Sequence, residues 1–159
     1  YTEPDPRDDL SGIDVARKLV ILAREAGVEL SLEDVQVESL VPPALSSLSR
    51  EEFMQRLSGN DKEMQDRYAS ARTRGNVLRY VASLELDGEA ARARVGLQEL
   101  PDDHAFAHLR LTDNVVQFVT RRYADNPLVV QGPGAGPEVT AAGVFADLLR
   151  VAANLGARL

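Results

Sequence analysis

The chain has no cysteine and no tryptophan, and only two lysines, two histidines and two methionines among 159 residues. Lack of cysteine excludes disulfides, thiolate metal sites and a cysteine nucleophile. Long apolar runs are missing too, so no helical membrane span is expected. Basic charge is in short supply: 18 Lys plus Arg face 25 Asp plus Glu, a formal net charge of −7. That balance argues against a general nucleic-acid binder. Arg121-Arg122 and the Arg92/Arg94 alternation are too small to reverse it. What is present, 44% hydrophobic and 27% charged residues with 11 Gly and 8 Pro, fits one folded domain. A dinucleotide-binding half together with a substrate half would need roughly twice this length.

Local signals divide the chain into an α+β pattern. Pro4 and Pro6 fix an extended or turned opening segment rich in carboxylates (Glu3, Asp5, Asp8, Asp9). Ser11 with Asp14 reads as a capping box opening a helix from Gly12 to about Ala26, stopped by Gly27. Val35 to Val41 alternates as a strand and ends at Pro42-Pro43. Ser49 with Glu52 caps a short helix to Leu57, and Asp61 opens another to about Arg74. Val77–Leu86 and Ala90–Leu100 form a hairpin through Asp87-Gly88. Strands over Val115–Tyr123 and Leu128–Gln131 follow, then a Gly-rich loop and a helix from about Val139 to Leu155. The expected fold is a mixed or antiparallel sheet of four to five strands with helices on one face. Residues 1–131 are read as one domain, and 132–159 as a loop and helix that pack elsewhere. Tyr68, Tyr80, Tyr123, Phe106, Phe118 and Phe145 are read as core aromatics.

Sixteen of the 18 basic residues are arginine, so each lysine raises a question. Lys62 lies in the polar run Asn60-Asp61-Lys62-Glu63 and needs only solvation. Lys18 stands four residues after Asp14, so the two side chains meet on one helix face. A surface ion pair is the plain reading of that spacing. Leu19-Val20-Ile21-Leu22 circles nearly the whole helix, however, so burial on most sides is expected, with Arg17 and Arg24 facing solvent. A lysine in a dry cleft can serve as general acid or base, which arginine cannot. Desolvation weakens a lysine's hold on its proton and a carboxylate strengthens it, and the sequence leaves that balance open.

The run Tyr1-Thr2-Glu3-Pro4-Asp5-Pro6-Arg7-Asp8-Asp9-Leu10-Ser11-Gly12, continuing into Asp14-Val15-Ala16-Arg17-Lys18, resembles the substrate-site signature of homoserine dehydrogenases. Gly134-Ala135-Gly136, Val139 to Val144 and Ala146-Asp147 resemble that family's C-terminal return segment. The resemblance runs along the whole chain, anchored at both ends. The ending soon after the last helix is similar to the bifunctional aspartokinase–homoserine dehydrogenases. The resemblance implies NADPH- or NADH-dependent reduction of aspartate 4-semialdehyde to homoserine in amino-acid biosynthesis, by a cytoplasmic homodimer. It assigns Lys18 as the catalytic proton donor and acceptor. It makes Asp14 a substrate-holding residue and Glu3 a carboxylate at the junction of substrate and nicotinamide, with Asp9 and Tyr1 as further lining residues. Gly136 and Thr140 fall beside the nicotinamide of an NADP or NAD held mainly by another domain. The chain, opening within a motif, is expected to be a fragment without activity of its own.

Two other patterns carry less. Gly132-Pro133-Gly134-Ala135-Gly136 suits ligand approach at a helix N-terminus, but Pro137 stands where the third glycine of a dinucleotide fingerprint belongs. His104 and His108 are four apart without the glutamate or third ligand that a zinc site needs, so no metal is expected. Asp5 and Asp8 read as solvated turn residues. A different class of function, a dimerisation or small-ligand-sensing module without catalysis, fits the strands but gives Lys18 no task.

Overall fold

The computed structural model describes residues 4–88, 90–110 and 112–157, so the expectations for Tyr1 and Glu3 lie outside the described residues. The chain forms two compact units, one reaching to Ala107 and the other beginning at His108. The α+β class holds in both, and the five strands of the described residues divide into a sheet of three and a sheet of two.

In the first unit a one-and-a-half-turn helix α1 (Pro6–Leu10) leads into α2 (Ile13–Glu25). Strand β1 (Val35–Val37) runs parallel to β3 (Ala90–Pro101), which pairs antiparallel with β2 (Asn76–Asp87). The hairpin register sets Tyr80 opposite Leu97, Ala82 opposite Val95 and Leu84 opposite Ala93. These residues alternate onto one sheet face, as a period of two requires. Helix α2 covers that face with Ala16, Leu19, Val20 and Ala23, spaced i, i+3, i+4, i+7. Val35, Leu30, Ala93 and Val95 complete the core. Helix α3 (Arg50–Leu57) carries the expected reciprocal box between Ser49 and Glu52, and α4 (Asp61–Thr73) lies along β2.

Three local expectations need correction. The Ser11/Asp14 box does not form. Ser11 closes α1 in right-handed helical geometry, so the N-cap of α2 moves to Gly12 at φ 77. Ser11 Oγ instead accepts from Ile13 N–H at 3.2 Å and donates to the Asp8 carbonyl. Strand β1 stops at Val37. Glu38 N–H still donates to the Val95 carbonyl, but Leu40 N–H turns to the Leu10 carbonyl, tying this segment to α1. The aromatic set is a core only in part: Tyr80 packs against the core and Phe106 is half-buried, but the other four are not core residues. Tyr68, Phe118, Tyr123 and Phe145 are exposed, and the fully buried aromatic is Phe53 on α3.

The second unit pairs β4 (Asp113–Phe118) with β5 (Leu128–Pro133) antiparallel, and continues into α5 (Pro137–Asn154). Gly134 N–H donates to the Thr112 carbonyl and sets the bend between β5 and α5. No residue of α5 is buried, and Val144, Leu148, Val151 and Leu155 form an exposed apolar stripe.

Candidate active site

Helix α2 presents Asp14 and Lys18 on the side away from the sheet. Lys18 Nζ lies 2.9 Å from Asp14 Oδ2, and the two side chains are 59% and 65% exposed. The expectation that this helix is buried on most sides is therefore overturned. Four residues suffice to seat it on a flat sheet, which leaves Ile21 and Leu22 open beside the ion pair. The helix is nonetheless held firmly. Arg24 Nε donates to the Leu30 carbonyl at 2.9 Å, so this arginine is a tether rather than a mere solvent marker.

The N-terminus of α2 is placed by contacts with the sheet. Gly12 lies against the Tyr80 ring, where a Cβ would collide with the hydroxyl oxygen and stand 2.9 Å from Cζ. Tyr80 Oη donates to the Glu38 carbonyl at 2.6 Å. Partial burial, reinforced by the Glu38 carboxylate, pushes the Tyr80 phenol up from its ordinary value, so it stays a donor. The Glu38 carboxylate accepts from Arg67 Nη2 at 3.2 Å and from Leu97 N–H at 3.3 Å. Residues 10–12 are thereby fixed before the helix that carries Asp14 and Lys18 begins.

The carboxylates of the opening segment do not share one role. Asp9 sits on the exposed side of α1. Asp5, read from sequence as a solvated turn residue, is instead the N-cap of α1. Its Oδ1 accepts from Arg7 N–H at 3.0 Å, and its carboxylate is chelated by the Arg7 guanidinium. Those hydrogen bonds hold its carboxyl down at about 2, against an ordinary 3.8. Glu99 is held at about 2 in the same manner by Arg74 and Asn76. Both folded-state values are depressed, so each group's stabilisation is complete above the ordinary carboxylate range and is lost as pH falls from about 4 toward 2. Asp5→Asn and Glu99→Gln are expected to flatten the fall of the urea midpoint across that window. An unchanged slope in both variants would refute these assignments.

At the other end of the chain, Gly136 caps α5 at φ 127, with open space where a Cβ would stand. Thr140 N–H donates to the Gly136 carbonyl at 3.0 Å, which places the threonine one turn into the helix. No side-chain hydrogen bond caps this helix, and Glu138 stands in its first turn. His104 is engaged locally: its Nδ1 accepts from Phe106 N–H at 3.1 Å and its ring meets the Phe106 ring edge-on. Among the described residues, no group of three or more His, Asp or Glu converges on a metal position.

The homoserine dehydrogenase family profile matches residues 1–149. The chain is 53% identical over 158 residues to the maize bifunctional aspartokinase/homoserine dehydrogenase 2, chloroplastic, covering 99% of this chain and 17% of that protein. It is 50% identical to a homoserine dehydrogenase of Paracoccidioides brasiliensis, covering 98% of this chain and 42% of the relative. A Candida auris protein described as of unknown function superposes with a TM-score of 0.87 at 47% identity, over 96% of this chain and 42% of that one. The homoserine dehydrogenase of Thiobacillus denitrificans gives a TM-score of 0.69 at 28% identity, over 93% and 30%. The chain thus spans less than half the length of each of these relatives. By sequence over nearly its full length and by fold, it belongs to the homoserine dehydrogenase family.

Proposed function

We propose that this chain supplies the substrate-binding and proton-transfer part of an enzyme that interconverts aspartate 4-semialdehyde and homoserine. The observation that carries this reading is the Asp14–Lys18 pair, 2.9 Å apart on the open face of an anchored helix, in a chain of this family. A bound NADPH or NADH supplies the hydride that reduces the aldehyde carbon. The carbonyl oxygen then needs a proton, and Lys18 Nζ holds one for it; in the reverse direction the same nitrogen receives it. Asp14 orients the ammonium through its carboxylate and faces the substrate. Glu3, Asp9 and Tyr1 complete the substrate side, with carboxylates suited to an amino acid's ammonium group. Gly136 and Thr140 are the residues this chain offers toward the nicotinamide, Glu3 sharing that contact. Residues 1–131 hold substrate and the dimer contact, and residues 132–159 return to a nucleotide-binding part supplied outside this chain. The cytoplasm, which holds the cofactor and the metabolites, is the proposed location.

The open apolar residues beside Lys18, and those along α5, are the surfaces on which that part would close. The exposed Phe118, Leu128, Val129 and Val130 of β4 and β5 support a homodimer through the two-stranded sheet. The isolated chain is therefore expected to sediment as a dimer and to show no turnover of homoserine with NADP or NAD. The full-length protein containing it should turn homoserine over. Turnover by the isolated chain would end the proposed division of labour, and an inactive full-length protein would end the functional reading itself.

A further inference from the structure

Arg7 grips a carboxylate of its own segment and joins that segment to a distant part of the first unit by two further kinds of contact. Its Nε and Nη2 grip the Asp5 carboxylate at 3.0 and 2.6 Å. Its Nη1 donates to the carbonyls of Ser46 at 3.2 Å and Leu48 at 2.7 Å, 39 and 41 residues away. Its guanidinium carbon lies 5.4 Å from the ring centroid of Phe53, which is fully buried. The five donors of a planar guanidinium can meet a carboxylate and two carbonyls at once, whereas a lysine ammonium offers one point charge. The turn at Ser46–Leu48 has no other side-chain donor from the opening segment among the hydrogen bonds of the described residues.

We propose that Arg7 is a positioning residue for substrate binding, clamping α1 to the turn before α3 so that Asp9, which α1 carries, keeps a fixed place. This rests on the substrate-site reading of the opening segment given above. The segment's position has two independent anchors. One is the Leu40–Leu10 backbone bond with the Gly12–Tyr80 contact, which fixes the end leading into α2. The other is Arg7, which fixes the start of α1. Loss of the second anchor leaves the Lys18 helix in place and loosens α1 with Asp9, a residue assigned to the substrate and not to the cofactor. The effect then falls on substrate affinity rather than on proton transfer or cofactor binding.

The test is steady-state kinetics of the full-length protein carrying Arg7→Lys, with the Asp5→Asn variant beside it. For Arg7→Lys the KM for homoserine is expected to rise about tenfold, with kcat within about threefold and the KM for the nicotinamide cofactor within about twofold. Asp5→Asn keeps the two carbonyl contacts and is expected to raise the homoserine KM by about threefold. A homoserine KM unchanged in Arg7→Lys while the thermal midpoint drops would reduce Arg7 to a bolt of stability and overturn the proposal. So would a parallel rise in both KM values, which signals general loosening. Absence of homoserine turnover in the unsubstituted protein would instead overturn the functional reading and this proposal with it.

Discussion

Lys18→Met in the full-length protein is expected to lower kcat for homoserine oxidation by about a thousandfold, within the range that positioned acid–base groups contribute. The KM for homoserine should move by no more than a few-fold, because the ammonium of Lys18 is assigned to proton transfer and not to holding the substrate. Stability should hardly change. Lys18 is more than half exposed and its pair with Asp14 is a surface pair, of a kind that contributes at most about 1 kcal/mol. This separation of activity from stability is what distinguishes a chemical role from a structural one. Lys18→Arg sharpens the test. Arginine can keep the ion pair with Asp14, yet its guanidinium does not release a proton in the working range, so it should be nearly as inactive as methionine. Asp14→Asn removes the orienting charge but leaves the amine, and a smaller loss follows. If kcat for Lys18→Met stayed within a few-fold of the unsubstituted protein, the assignment of proton transfer to this residue would be wrong, and a non-catalytic assembly module would become the better account.

How far these features could be read from sequence depended on the range of the interaction concerned. The Ser49–Glu52 box, the hairpin from Asn76 to Pro101 and the meeting of Asp14 with Lys18 are contacts within a few residues or across one turn, and each has a residue pattern of its own. The end of β1 was harder to foresee because apolar alternation continues to Val41, while the backbone donor of Leu40 is drawn away by the Leu10 carbonyl. The exposure of Ile21 and Leu22 is hidden from the sequence for a related reason. Counting apolar residues around a helix assumes that something covers every apolar side, and within this unit only one sheet face is available. Arg7 left no trace at all. Two of its partners are backbone carbonyls about forty residues away, and a carbonyl looks the same whichever residue bears it.

The strongest structural prediction concerns Gly12, where two demands coincide. Its φ of 77 lies in the left-handed region, which costs an ordinary residue about 1–2 kcal/mol. A Cβ there would also collide with the Tyr80 hydroxyl and press on Cζ at 2.9 Å, a contact of the overpacking kind that costs about 1–3 kcal/mol. Gly12→Ala should therefore destabilise the chain by roughly 2–5 kcal/mol, lowering the thermal midpoint by about 4–20 °C. Activity should suffer beyond the loss of stability, since Tyr80 and Gly12 place the first turn of the helix bearing Asp14 and Lys18. The two causes can be separated. Asparagine tolerates left-handed backbone, so Gly12→Asn should be milder than alanine if conformation dominates and no better if the collision does. Tyr80→Phe removes the hydroxyl and its bond to the Glu38 carbonyl, at a cost of about 1 kcal/mol alone. In the Gly12→Ala background it should cost less, because the same deletion relieves the nearest clash. Strict additivity of the two substitutions would show that the tyrosine is not what excludes a side chain at position 12. A shortfall from additivity would identify the Tyr80 hydroxyl as the group that excludes a side chain at position 12.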